Sequence, residues 1–266
     1  MLGKLIKYDL RALVKTAFPM LVSSGIISVI CCALMFFTLS FNELDGFYVA
    51  FSLVSSFYII GLIAIGTLCA ISSFFAIYRY YKSVFTDEGY LTMSLPVKTS
   101  VIFSGKLISA FIWSCVSNIV MIVLFFISLV LPVLLFNPFI MENTFELAFL
   151  EMLLSMFPVE DILISLTVGL FDYIEITVII FTSITLGSLK MRKHKILGAI
   201  LFFVILTFIE SAVISFAENI LWVALFDNEW LYDLLYFVVN ILLSVTISVA
   251  LFFFNVNALQ KKLNLE

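Results

Sequence analysis

Six stretches of this chain are each long and apolar enough to cross a bilayer, and they constrain everything else it can be. They fall at about 16–40, 47–78, 107–136, 162–189, 196–217 and 231–257. A spanning helix needs about 20 mainly apolar residues. The chain is 12% charged over its 266 residues, half the roughly 25% of a soluble domain, which excludes a water-facing globule. The expected fold is all-α: one polytopic membrane domain, 1–266, with six transmembrane helices. Residues 16–40 do not read as a cleavable signal peptide, because the apolar run is too long and no small-residue cleavage site follows it.

The basic residues orient the spans. Lys4, Lys7, Arg11 and Lys15 precede the first span, and Arg79, Lys82, Lys98 and Lys106 lie between the second and third. Lys190, Arg192, Lys193 and Lys195 lie between the fourth and fifth, and Lys261 and Lys262 follow the sixth. All 14 lysines and arginines thus fall on one side of the membrane. Positive charge marks the cytoplasmic side, so both termini are expected inside. The acids on that side are Asp9, Asp87, Glu88 and Glu266, leaving a net of +10 there although the whole chain is at −4. The basic rim reads as a topology determinant and a contact for anionic lipid. No nucleic-acid surface is expected.

Within the rim, residues 2–15 alternate Leu2, Leu5, Ile6, Leu13 and Val14 with Lys4, Lys7, Arg11 and Lys15 at helical steps. That pattern predicts an amphipathic helix in the inner interface, its lysines reaching toward phosphates. The one long polar interruption between spans is 79–106, RYYKSVFTDEGYLTMSLPVKTSVIFSGK. Thr86-Asp87-Glu88-Gly89 predicts a turn and a cap for a short helix over about 88–95. Pro96 ends it, because a proline disfavours helix in the residue before it. Thr99 or Ser100 then caps the third span. The result is a helix–break–helix elbow. Tyr78, Tyr80 and Tyr81 are expected in the interfacial aromatic belt.

On the other side, Glu142 and Glu146 suggest an amphipathic surface helix over 141–156. The apolar stretch Ile220–Phe226, enclosed by Glu218 and Asp233, suggests a re-entrant hairpin between spans five and six.

Three acids fall within the spans. Asp172 and Glu175 are three apart on one helix face, and Glu210 lies in the fifth span. Ionisable groups at membrane depth are costly and usually face a cavity or a partner, which makes these three candidates for a substrate or proton pathway. If span four begins late, the first two instead sit among the outer headgroups. Cys31, Cys32, Cys69 and Cys115 are expected as buried apolar thiols without disulfide or metal spacing. His194, the single histidine, is not expected to ligate a metal. Pro132, Gly61 and Gly66 read as packing or kink sites. Nucleotide-binding and hydrolase motifs are absent: Gly105-Lys106 is followed by leucine and lacks the upstream glycine of a phosphate-binding loop. The chain is not expected to be an enzyme.

The start MLGKLIKYDLRAL, the segment Arg79–Val97 (RYYKSVFTDEGYLTMSLPV) with its Gly105-Lys106-Leu107 lead into span three, and Lys193-His194-Lys195-Ile196-Leu197-Gly198 before span five together resemble the ABC-2 type permeases of Gram-positive bacteria. The resemblance implies a connecting helix at 2–15 (Lys4, Lys7, Arg11, Lys15) and re-entrant helices between spans five and six. It also implies a coupling helix docking on a separate ATPase, carried by Asp87, Glu88, Gly89, Tyr90, Leu91, Leu95 and Pro96. Two permease chains, alike or different, would pair with two ATPase subunits that bind ATP and magnesium, and the assembly would export its substrate, an amphipathic or cationic peptide being the natural choice. No family role passes to Asp172, Glu175 or Glu210. The rival expectations are an ion- or proton-coupled secondary transporter using those acids, and a non-transport membrane protein for immunity or sensing.

Overall fold

The computed structural model describes residues 2–41, 48–94, 97–136, 159–191, 193–225 and 229–263. The protein is all-helical there, in the order α1 (Leu2–Phe41), α2 (Tyr48–Phe85), α3 (Asp87–Met93), α4 (Thr99–Phe136), α5 (Val159–Lys190), α6 (Lys195–Ala224) and α7 (Glu229–Leu263). Every helix but α3 is long and apolar enough to cross a membrane, so this is a multi-pass membrane protein. The segment 137–158, including the surface helix expected at 141–156, lies outside the described residues, as do Leu95 and Pro96.

Two expectations are corrected. Residues 2–15 are not a separate interfacial helix but the first turns of the unbroken 40-residue α1. At 1.5 Å per residue a helix of that length is about 60 Å long, twice the hydrocarbon thickness, so it is long enough for its basic start to extend past the layer. Pro19 sits inside it and forfeits one backbone bond without stopping the helix. Among the described residues there is no re-entrant hairpin either: α6 continues through Glu218 to Ala224. Between Ala199 and Ala224 there is neither glycine nor proline to break it.

The helices form two compact units. One comprises Ile6–Tyr78 and Ile112–Phe157. Its interior is held by small polar rungs between apolar helices. Ser28 Oγ donates to Leu124 O at 3.0 Å and lies 3.0 Å from Ser128 Oγ. Ser72 Oγ lies 3.2 Å from Ser117 Oγ, and Trp113 Nε1 donates to Ser72 O at 3.1 Å. In lipid the apolar surfaces gain nothing by meeting each other, so close packing and such bonds hold the helices together. Gly61 is a packing residue: a Cβ there would stand 2.3 Å from Cys31 Sγ. All four cysteines are free thiols.

The other unit comprises Met1–Leu5, Arg79–Phe111 and Pro158–Glu266, and it contains every feature of functional interest below. Its core is aromatic. Tyr80 stacks on Phe181 with centroids 3.9 Å apart and planes 4° apart, and Phe103 meets both rings edge-on. Phe252 completes the cluster against Phe103 at 5.3 Å, so α2, α4, α5 and α7 each supply a ring. Tyr80 is 1% exposed and is therefore a core residue, not part of an interfacial belt. Its hydroxyl donates to Thr185 Oγ1 at 2.8 Å, whose own proton goes to Phe181 O. Asn255 Nδ2 donates to Thr182 Oγ1 at 2.7 Å, tying α7 to α5.

Candidate functional site

The polar interruption contains the expected short helix, α3, while the break expected at Pro96 falls outside the described residues. Helix α2 ends at Phe85 and α3 starts two residues later, at Asp87. Such a sharp departure brings backbone against backbone. A Cβ on Gly89 would lie 2.3 Å from Val84 O, so only glycine fits. Gly89 N–H donates back to Thr86 O at 2.7 Å. Thr86 does not cap α3 with its side chain; its hydroxyl donates instead to Lys82 O in the preceding turn. Thr99 begins α4, but its hydroxyl makes no hydrogen bond. The carbonyl of Lys98 accepts from Ile102 N–H at that end.

Two lysines brace the elbow. Lys82 Nζ pairs with Glu88 Oε1 at 2.9 Å, both side chains about half exposed, an arrangement worth at most about 1 kcal/mol. Lys195, the first residue of α6, donates from Nζ to Phe85 O at 3.2 Å. That carbonyl is among the last four of α2, which have no partner within their own helix. The second brace places the turn before α6 beside the elbow, so two of the basic segments meet at one end of this unit. A small recess there is lined by Tyr81, Lys193, His194, Lys195, Ile196 and Leu197.

What the elbow presents is apolar. Tyr90 is 78% exposed and Leu91 70% exposed on a seven-residue helix whose neighbours are polar. Lys4, Lys7, Arg11 and Lys15 are exposed along α1. Leu2 and Leu5, from the opposite face, pack on α4 at Gly105, where a Cβ would meet Leu5 Cδ2 at 3.0 Å.

A second feature occupies the other end of the same unit. Helices α5 and α6 form an antiparallel pair whose backbones touch near the basic turn. A Cβ on Gly187 would lie 2.3 Å from Ala199 N and 2.6 Å from Gly198 C. Farther along, α5, α6 and α7 line a half-open cavity of about 1020 Å³. Its lining includes Asp172, Glu175, Glu210 and Glu218, with Tyr173, Tyr236 and Asn240 and the apolar Val168, Ile176, Ile214, Leu234 and Phe237. The three span acids singled out from sequence are thus brought together.

Glu175 stands about 15 residues from Lys190 and Glu210 about 15 from Lys195, so both lie roughly 22 Å from the basic end. The two carboxylates share one depth on facing helices. Helix α5 itself begins at Val159, and its stretch apolar enough to span a membrane covers Thr167–Lys190, which places Asp172 and Glu175 in the half away from the basic end. Ser244 Oγ donates to Asp172 Oδ1 at 3.4 Å. From the cavity wall, Tyr236 continues through Tyr232 to Trp222 in a ring-to-ring ladder at 5.9 and 5.5 Å, aromatic types enriched at membrane interfaces.

Sequence reasoning did not find Glu218, Tyr236 or Asn240 as partners of the three acids. The sequence position of Glu218, at the border of the apolar stretch Ile220–Phe226, points to a re-entrant segment, whereas Glu218 lies on the extended α6. Nor did it find the Lys195 brace, for which a lysine at the start of an apolar helix gives no distinguishing signal.

Among the described residues no three His, Cys, Asp or Glu side chains are placed to hold a metal ion. No protein-family model, curated protein or solved structure matches this chain.

Proposed function

We propose that this chain is the membrane permease subunit of an ATP-driven exporter in a bacterial cell membrane, with both termini in the cytoplasm. Force enters at α3, where a separate ATPase subunit carrying ATP and magnesium docks, and a second permease chain completes the pathway. The observation that supports this reading best is the braced elbow. A short helix is set against the end of α2 by a glycine contact, that end is bonded by Lys195, and the helix leaves Tyr90 and Leu91 largely uncovered by this chain. Tyrosine is among the residue types enriched at docking hot spots. Such a helix can also transmit a push, because α2 enters the Tyr80–Phe181–Phe103 cluster one turn earlier, and Phe181 belongs to the cavity-lining α5.

The test is to purify the chain from its native membranes in mild detergent and measure magnesium-dependent ATPase activity in the eluate. Activity that co-elutes with wild type and is lost with Tyr90→Ala/Leu91→Ala, at equal membrane abundance, supports the reading. A wild-type eluate without ATPase, or one unaffected by the double substitution, overturns it.

The four carboxylates of the cavity favour a second reading, a proton- or cation-coupled secondary transporter. It predicts gradient-driven flux in vesicles that contain no ATPase.

A further inference from the structure

We propose that the cavity among α5, α6 and α7 is a binding site for an organic cation with an apolar body, recognised by Glu175 and Glu210. Three independent features lead there. The first is an orphaned acceptor. Glu175 is 2% exposed, and its Oε1 makes no hydrogen bond. A buried acceptor without a donor is destabilising, and an incoming N–H group removes that penalty. The second is the imbalance of charge: among the described residues four carboxylates line the space, and no lysine or arginine does. Membrane-depth carboxylates ordinarily pair with a protein cation; here the ligand supplies it.

The third is size and lining. About 1020 Å³ is at the upper end of small-molecule sites and far larger than a hydrated proton requires. Tyr173, Tyr236 and Phe237 offer ring faces suited to a cation, while Val168, Ile176 and Ile214 cover an apolar skeleton. A bare metal ion fits poorly, since the carboxylates do not converge as ligands. The inference does not rest on the ATPase reading, and its assay contains no ATPase, so either can fail without the other.

The probe is ethidium, an aromatic organic cation whose fluorescence rises in apolar surroundings. It is titrated into the full chain reconstituted in phosphatidylcholine nanodiscs. The expected result is saturable binding, weakened at least about tenfold by Glu175→Gln and by Glu210→Gln, with no saturable binding of an uncharged phenanthridine. Glutamine keeps the shape of glutamate. Glu210, which is only half-buried, keeps the test valid if the Glu175 variant does not fold.

Replacing phosphatidylcholine by phosphatidylethanolamine separates two sources of the ligand. Competition assigns the natural cation to a lipid ammonium group, and unchanged affinity assigns it to a diffusible amine. Three results would overturn the proposal: no saturable binding, affinity unchanged in both glutamine variants, or displacement by magnesium chloride beyond that of sodium chloride at equal ionic strength.

Discussion

Gly187→Ala is the substitution whose outcome follows most directly from the geometry. The added Cβ would stand 2.3 Å from Ala199 N, 2.6 Å from Gly198 C and 2.7 Å from Ala199 Cα. All three are backbone atoms of α6, so no side chain can swing aside. To restore ordinary contact the helices must part by roughly 1 Å, and overpacking of that kind costs about 1–3 kcal/mol. Alanine's better helix propensity returns up to about 1 kcal/mol. With unyielding backbone on both sides the upper half of that range applies, so the net is a loss of about 1–2 kcal/mol, or about 2–8 °C in melting temperature for a chain of this size.

Gly25→Ala is the matched control. A Cβ there meets nothing within 4 Å, so only the propensity gain remains and the melting temperature rises or holds. Both are read on the purified chain in detergent by intrinsic fluorescence. If Gly187→Ala is as stable as Gly25→Ala, the α5–α6 backbone contact is wrong and the cavity geometry that depends on it fails too.

Two further outcomes concern the aromatic core and the elbow. Tyr80→Phe removes one buried hydrogen bond while Thr185 keeps its bond to Phe181 O. It should cost only about 1 kcal/mol, whereas Tyr80→Ala should cost about 3–5 kcal/mol, measured by thermal unfolding of the same preparation. Lys195→Met deletes the donor to Phe85 O and should speed backbone hydrogen exchange over 82–93 severalfold, with little change in α5; equal protection in the variant would remove the brace from the account.

What could be seen in the sequence was whatever the bilayer itself dictates. Six apolar runs became six spanning helices because lipid leaves the backbone no other partner, and Asp87-Glu88-Gly89 became a turn into a short helix because glycine was needed there. Helix ends were less visible. Hydropathy ends span two near residue 78 and span five near 217, yet the helices continue to Phe85 and Ala224. Polar or aromatic residues can prolong a helix beyond the lipid as readily as stop it.

The rest depended on neighbours distant in the chain. Tyr80 looks like any interfacial tyrosine until Phe181 is known to stack on it. Asp172 and Glu175 reveal their shared face by spacing alone, but that Glu210 and Glu218 stand across from them depends on how α5 and α6 pair, and Gly187 and Gly198 set that pairing.

The central claim is that α3 meets an ATPase, and the most direct measurement is cross-linking from its tip. A benzophenone amino acid in place of Leu91, illuminated in native membrane vesicles, should give a single major adduct with a nucleotide-binding protein. Its yield should change when ATP is added. Adducts with lipid alone, or with a protein that binds no nucleotide, would contradict the claim.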